Sequence, residues 1–250
     1  MAVQQRGIQT VESSGEILKL ICHSTKSLSL SEIAEALNLA PSSAYKYLIS
    51  LQRTGLLKRN ESTLAFEAGS LSLRLGLAKV NQNVLVVKSR QLLTEIAEKH
   101  QVNVFASLWS NLQGPTVVFY KEFAGFFNLG FRLGANLTLS TATGRLFAAY
   151  QSLEANCEIL KPYIHEQTIF QNDEFQQSLN EIREQGYSCF IDQPTPGISS
   201  YAVPVFDHNQ QLIFAMTVFS KTEDLNAEKI QHILQDLSTA AVVLRGNQHG

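Results

Sequence analysis

The spacing of apolar residues in the first third of the chain predicts short helices. Ile17 and Ile21 stand four residues apart within a stretch of similar spacing at 10–23, which is the period of an amphipathic helix. A polar break follows this stretch. Ser29 then stands three residues before Glu32, a pairing typical of the capping box that begins a helix. A second helix is therefore predicted to begin directly after Ser29.

A third helix is predicted over residues 41–54. Asn38 suits a tight turn before it, and Pro41 suits the first turn of a helix. Two helices and a turn within residues 29–54 form the outline of a helix-turn-helix, which places its second helix in the DNA major groove. The outward-facing residues of that helix are candidates for contacts with DNA: Ser42, Ser43, Tyr45, Lys46 and Ser50. The alternative is an ordinary exposed face on which the two serines act only as caps.

A hairpin is predicted directly after this helix. Gly55 ends the helix, and segments 56–59 and 63–66 have the pattern of two strands around a turn. A hairpin in this position is a wing. Lys58 and Arg59 at its base are predicted to lie where the DNA backbone would pass.

The remaining pattern predicts a linker helix at 69–81, a helix at 84–100 and then an α+β domain. The predicted strands of that domain cover 102–110, 116–122, 126–132, 187–191, 201–206 and 212–219. Its predicted helices cover 140–152, 153–161, 173–185 and 227–245. We therefore expect three parts, namely a winged helix-turn-helix domain at 1–67, a linker helix at 68–82 and a second domain at 83–250.

Composition and charge agree with a DNA-binding protein. The 44% hydrophobic content is typical of a globular chain, and no apolar run approaches the roughly 18 residues of a membrane span. The N-terminal residues lack the apolar core of a secretory signal, so a cytoplasmic location and no membrane partner are expected. Residues 1–79 carry nine lysines and arginines against six glutamates, in a chain whose net charge is −2. A mildly basic head thus precedes an acidic body.

Enzymatic chemistry finds little support in the sequence. Cys22, Cys157 and Cys189 are too widely spaced to indicate a disulfide framework or a zinc cluster. The six histidines are scattered, and neither a phosphate-binding glycine loop nor a nucleophile elbow occurs. We therefore expect no enzyme activity, no cofactor and no metal. A winged helix that binds another protein remains the alternative to DNA binding.

Four segments, in the same order, resemble the IclR family of bacterial transcription regulators. The first is S-L-S-E-I-A-E-A-L-N-L at 29–39, followed by P-S-S at 41–43 and L-I-S-L-Q-R-T-G-L-L at 48–57. T-A-T-G-R at 141–145 resembles the family's T-A-x-G-K turn, and I-R-E-Q-G-Y at 182–187 resembles I-R-x-x-G-Y. G-I-S-S-Y-A-V-P-V-F-D at 197–207 resembles G-x-x-x-x-A-x-P-V-x-D. The resemblance covers roughly residues 10–245.

The resemblance implies a winged helix-turn-helix joined to an effector-binding and oligomerisation domain similar to the GAF fold. It implies double-stranded DNA with a palindromic operator as one partner and a small organic effector as another. It also implies a homodimer or a homotetramer. The operator sequence, the identity of the effector, and the choice between repression and activation stay open.

By the same resemblance, the effector pocket is lined by the T-A-x-G turn, the segment after G-Y, the G-x-x-x segment and the last strand. The corresponding residues here are Leu139, Thr141, Ala142, Thr143, Gly144, Phe190, Ser200, Thr217 and Phe219.

Three departures from the family's pattern change the expected ligand. Leu139 and Ser140 stand where some members have histidine, Phe190 and its neighbours where many have an acidic residue, and Ser200 where many have cysteine. Polar groups are lost and aromatic surface is gained, so we expect an aromatic or largely apolar organic acid. Its acid group would be held by backbone N–H groups of residues 142–144. The alternative is a pocket filled by Phe190 and Phe219, in a regulator that needs no ligand.

Overall fold

The computed structural model of the chain describes residues 7–110, 114–123, 132–151 and 173–246. The chain divides into two compact units, residues 1–82 and 83–250. The helices are α1 (Gln9–His23), α2 (Leu30–Ala36), α3 (Pro41–Arg53), α4 (Ser70–Asn81), α5 (Val84–His100), α6 (Ala142–Tyr150), α7 (Asp173–Gln185) and α8 (Ala227–Gly246). The strands are β1 (Leu57–Arg59), β2 (Phe66–Ala68), β3 (Asn103–Ser110), β4 (Gly114–Lys121), β5 (Ser188–Phe190), β6 (Ile198–Phe206) and β7 (Leu212–Lys221).

Local sequence signals set the helix boundaries in the first unit. The hydroxyl of Ser29 accepts a hydrogen bond from the Glu32 N–H, and the Glu32 carboxylate accepts one from the Ser29 N–H, which confirms the predicted capping box. Asn38 adopts the left-handed conformation at φ 51°, in the turn before α3. Pro41 begins α3 and Gly55, at φ 78°, lies just beyond its end.

The apolar faces of these helices meet in one core beside the wing. Its buried members are Ile17, Ile21, Leu28, Ile33, Leu48, Leu51, Leu57 and Phe66. Because α3 contributes only its inner stripe to this core, its remaining faces stay on the surface.

The wing forms, but its second strand begins later than predicted. Strands β1 and β2 pair antiparallel, with Arg59 opposite Phe66. The turn extends to residue 65 because Asn60 accepts hydrogen bonds through its side chain and donates its N–H to Ala65. Phe66 also exchanges two backbone hydrogen bonds with Leu28, so the position of β2 depends on a residue far away in the sequence.

Helix α4 continues directly from the wing and contains no buried residue. The hydroxyl of Ser72 donates to the Leu56 carbonyl at 2.7 Å, and the Leu71 N–H donates to the Gly55 carbonyl at 3.0 Å. These bonds attach the start of α4 to the first unit. The two compact units separate between Gln82 and Asn83, and we retain the distinct linker segment 68–82 as a proposal.

The second unit is built on an antiparallel sheet with the strand order β4-β3-β7-β6-β5. Helix α6 packs on one face of this sheet, where it shares a core with Ala202, Ala215 and helix α7. Successive strand residues point to opposite faces. The alternate positions of the sheet therefore face α5 and α8, which pack against each other and against the strands. This mixed arrangement confirms the predicted α+β class.

Most predicted elements of the second unit are observed within a few residues of their expected ends. Strand β6 begins at Ile198 rather than 201, because pairing with β7 continues to Lys221. The predicted helix at 153–161 and all but the last residue of the predicted strand at 126–132 lie outside the described residues.

Candidate DNA-binding surface and ligand cavity

The predicted DNA-contact residues of α3 lie on the surface of the first unit. Ala44, Leu48 and Leu51 are buried, whereas the five candidates Ser42, Ser43, Tyr45, Lys46 and Ser50 are exposed. A helix turns by about 100° per residue, so Ser43 and Ser50 lie on one flank of α3 and Tyr45 on the other. The five candidates therefore form the outer face of the helix and its two flanks, and this surface is accessible to a partner.

The two cations of the wing have different surroundings. Lys58 is exposed and lies 3.4 Å from the Glu67 carboxylate, an exposed ion pair of the kind that contributes little to stability. Arg59 donates a hydrogen bond to the Leu64 carbonyl at 3.2 Å, and its guanidinium lies 5.7 Å from the centre of the Phe66 ring. Lys58 is thus free to move towards a phosphate, while Arg59 is held against the wing.

Electrostatics also reinforce the start of the helix-turn-helix. The Glu32 carboxylate accepts hydrogen bonds from Lys26 at 2.7 Å and from the backbone and hydroxyl of Ser29. These bonds lower the pKa of Glu32 from 4.5 to about 2. The carboxylate therefore stays charged at the positive end of α2.

In the second unit, a cavity lies between the start of α6 and the sheet. We call it the α6 cavity, and its volume is about 70 Å³. It is lined by Phe105, Leu137, Thr141, Ala142, Thr143, Gln193, Pro194, Thr195, Ile198, Ser200, Thr217 and Phe219. Half of these residues are apolar, and the others are neutral hydroxyl or amide residues. Six of them were expected from the sequence, namely Thr141, Ala142, Thr143, Ser200, Thr217 and Phe219.

The polar groups of the α6 cavity are arranged around the N-terminus of α6. The Thr141 hydroxyl accepts from the Gly144 N–H at 3.0 Å and so caps the helix. Among the described residues, this leaves the first-turn N–H groups of Ala142 and Thr143 available to a ligand. The Thr143 and Thr217 hydroxyls lie 2.8 Å apart and are both buried, which ties α6 to β7.

Three expected residues do not line the α6 cavity. Leu139 is buried in the core around α6. Gly144 lies so close to the chain before α6 that an added Cβ would collide with the Thr138 carbonyl, so its small size is needed for packing. Phe190 packs against the Arg145 guanidinium, which lies 5.4 Å from its ring centre and 4.8 Å from that of Phe175.

The surroundings of Arg145 account for the position of Phe190. Its guanidinium donates to the Ser178 hydroxyl at 2.8 Å, and burial lowers its pKa from the ordinary value. The two rings cover a cation that is partly removed from water. Phe190 therefore completes this packing and does not fill the cavity.

Six residues of the α6 cavity were not expected from the sequence: Phe105, Leu137, Gln193, Pro194, Thr195 and Ile198. Phe105 lies directly opposite Thr217 in the neighbouring strand. The register of the two strands would therefore have placed Phe105 at the cavity. The loop residues had no such signal. Their position depends on hydrogen bonds such as those from Gly197 N–H to the Asp192 carboxylate and from Thr222 N–H to the Gly197 carbonyl.

Two features of the described ranges bear on rival functions. No three histidine, cysteine, aspartate or glutamate side chains there come together in a way that could hold a metal ion. Likewise, none of the described helices has the length and apolar character needed to cross a membrane.

Comparisons with known proteins connect both units to one family. The IclR helix-turn-helix domain matches residues 10–61, and the C-terminal domain of the bacterial transcriptional regulator IclR matches residues 128–244. Together these matches cover about two thirds of the chain. The chain is also 26% identical over 227 residues to the glycerol operon regulatory protein of Streptomyces coelicolor, a match that covers 89% of each chain.

Solved structures share the fold at lower identity. The IclR transcriptional regulator of Alicyclobacillus acidocaldarius superimposes with a TM-score of 0.79 at 20% identity, over 96% of this chain and 99% of that one. An IclR homologue of Microbacterium hydrocarbonoxydans complexed with 4-hydroxybenzoate gives a TM-score of 0.74 at 15% identity, over 95% and 98% of the two chains. The family consists of transcriptional regulators and not of enzymes, as the motifs predicted. The chain therefore belongs to the IclR family of DNA-binding transcriptional regulators, with an N-terminal helix-turn-helix and a C-terminal ligand-binding domain.

Proposed function

We propose that the outer face of α3 and the wing bind a duplex operator, and that a small organic acid in the α6 cavity modulates this binding. The observation that carries the proposal is the exposed outer face of α3, on which Lys46 is surrounded by hydroxyl side chains. Side chains of this kind contact phosphates and base edges in the major groove.

One copy of α3 is too short to read a long site. Helix-turn-helix proteins solve this by binding two half-sites as dimers, so operator symmetry mirrors protein symmetry. We accordingly propose a homodimer, or a tetramer of two such dimers, on a palindromic operator. Since operator DNA lies in the cytoplasm of a bacterium, the protein would work there.

The α6 cavity supports a ligand with an apolar body and an acid group. Phe105 and Phe219 provide aromatic surface, while the Ala142 and Thr143 N–H groups lie at the positive end of α6, which favours an anion. The described lining contains no charged side chain, so neutral donors would hold the acid group. These features support the organic acid that the sequence predicted.

The size of the α6 cavity limits which organic acids it can hold. Its volume of about 70 Å³ lies well below the roughly 300 Å³ at which pockets for larger ligands begin. We therefore favour a short organic acid, and an aromatic acid would require the cavity to widen. The Microbacterium homologue complexed with 4-hydroxybenzoate supports the view that this fold can hold an aromatic acid.

The DNA proposal is tested with duplexes recovered by in vitro selection from random DNA with the wild-type chain. Lys46→Ala should weaken binding. It should also make the slope of log K against log salt concentration shallower by about 0.9 for each protomer bound. Lys79→Ala, which removes an exposed cation from α4, serves as the matched control and should leave the slope unchanged. Wild-type binding by both Lys46→Ala and Tyr45→Ala would exclude this face of α3.

The effector proposal is tested by thermal shift with short aliphatic acids and with benzoate-type acids. A binding acid should raise the melting temperature of the wild-type chain. It should not raise that of Ser200→Leu, whose larger side chain fills the α6 cavity. No shift with either class of acid would instead favour a regulator that needs no ligand.

A further inference from the structure

A second surface of the first unit lies directly beside the proposed DNA-contact face. An open groove of about 440 Å³ runs between α1 and α3. It is lined by Thr10, Val11 and Ser14 from α1 and by Ser43, Lys46, Tyr47 and Ser50 from α3. We call it the α1–α3 groove. Nothing in the helix-turn-helix pattern predicted a role for α1 beyond the core.

The sequence of α1 explains why hydroxyl groups stand beside Val11 along this groove. The stripe that packs on the core contains Ile17 and Ile21, both buried. The same spacing of three and four residues continues towards the N-terminus through Ser14 and Thr10. The stripe thus changes from isoleucine to hydroxyl residues where it passes the edge of α3. The Ser14 hydroxyl donates to the Thr10 carbonyl of its own helix at 2.8 Å, and its oxygen remains beside the groove.

Helix α3 presents a matching flank. Ser43, Tyr47 and Ser50 follow one another at intervals of four and three residues, so they form one stripe facing α1. Lys46 lies between this stripe and the outer face of α3 and belongs to both. Anything that contacts the outer face of α3 on this side therefore also meets the α1–α3 groove.

The chemistry of the groove favours an anion with several oxygens. Five hydroxyl groups and one ammonium group line it, and none of its described lining residues is acidic. Glu12 and Glu16 lie on the opposite side of α1, about half a helical turn away from the stripe of Thr10 and Ser14. Hydroxyls and lysine are typical phosphate contacts in protein–DNA interfaces.

We propose that the α1–α3 groove seats a segment of the DNA sugar–phosphate backbone, so that α1 and the wing hold the duplex from the two sides of α3. The inference rests on the proposed DNA contacts of α3. Because phosphate contacts carry no sequence information, the groove would add affinity and fix the register without selecting bases. Ser14 and Thr10 are its positioning residues.

The test introduces charge into the groove and measures binding to the duplex recovered by in vitro selection. Ser14→Lys should add a phosphate contact and steepen the salt slope by about 0.9 for each protomer bound, with equal gains on selected and scrambled duplexes. Ser14→Glu and Thr10→Glu should weaken binding at least about fivefold in 0.1 M salt, because they place a negative charge beside phosphate. Gln9→Glu is the matched control. It adds the same charge to an exposed position on the other side of α1 and should change binding less than twofold.

Two results would overturn the inference. The first is a wild-type salt slope for Ser14→Lys together with equal effects of Ser14→Glu and Gln9→Glu. The second is a change of oligomer mass in Ser14→Glu, by light scattering, with unchanged DNA binding, which would assign the groove to a contact between two copies. Tyr45→Ala separates these failures from the parent proposal, because Tyr45 belongs to the outer face of α3 but does not line the α1–α3 groove.

Discussion

The buried hydroxyl pair between α6 and β7 offers a sharp test of how the second unit is held together. Thr143 and Thr217 are each about 1% exposed, and their hydroxyl oxygens lie 2.8 Å apart. Thr217→Val keeps the shape of the side chain and removes its hydroxyl. The Thr143 hydroxyl then loses its partner on the sheet.

The cost follows from the burial of the group left behind. A buried hydroxyl without a partner costs about 1–3 kcal/mol, whereas replacing both partners by apolar groups of the same shape is nearly neutral. We therefore expect Thr217→Val to lower the free energy of unfolding by about 2 kcal/mol. In a domain of this size, that corresponds to a loss of about 4–8 °C in melting temperature.

The assay is a double-mutant cycle by urea unfolding of the full chain. Thr143→Val and Thr217→Val should each destabilise, and the double variant should be more stable than the sum of the two losses predicts. A cost below about 0.5 kcal/mol for Thr217→Val would refute the reasoning, as would strict additivity. Either result would mean that water in the neighbouring α6 cavity satisfies the remaining hydroxyl.

Four further predictions concern packing, charge and reactivity. Gly144→Ala should destabilise the chain by about 1–3 kcal/mol in urea unfolding, because its methyl group would strike a backbone carbonyl. Gly76→Ala in α4, where an added methyl group meets open space, should instead stabilise by about 0.5–1 kcal/mol. Glu32, with its pKa lowered from 4.5 to about 2, stabilises the fold above about pH 4.5 and loses this effect as the pH falls towards 2. The melting temperature of Glu32→Gln, measured at a series of pH values, should therefore fall less steeply over that range than that of the wild type. Burial raises the pKa of the Cys189 thiol, so peptide mapping after iodoacetamide treatment at pH 8 should find Cys189 modified more slowly than the exposed Cys22.

The first unit was largely predictable because its signals are local. The capping box at Ser29, the proline at the start of α3 and the glycine after its end each act within a few residues. The error in β2 has a different origin. Phe66 bonds to Leu28, about forty residues away, and no local pattern encodes that pairing.

The lining of the α6 cavity was predictable only where sequence motifs coincide with regular elements. Thr141 and Thr143 are placed by the N-terminus of α6, while Ser200 and Thr217 are placed by strand pairing. Phe190 follows the same strand rule and pairs with Ser200, yet it does not reach the cavity. Instead, its ring packs against the Arg145 side chain. This is a tertiary contact that the alternation of residues along a strand does not predict.

The loop at 192–197 shows why this cavity cannot be described by its motifs alone. Gln193, Pro194 and Thr195 close one side of the cavity although they belong to no helix or strand. Residues at the start of α6 line the same cavity, so the proposed ligand would contact two segments that have no regular pairing with each other. A bridging ligand stabilises the state in which both segments are in place by RT ln(1 + [L]/Kd), about 2.7 kcal/mol at a hundredfold excess over Kd. A ligand of the proposed kind would therefore favour the arrangement in which this loop lies beside the start of α6.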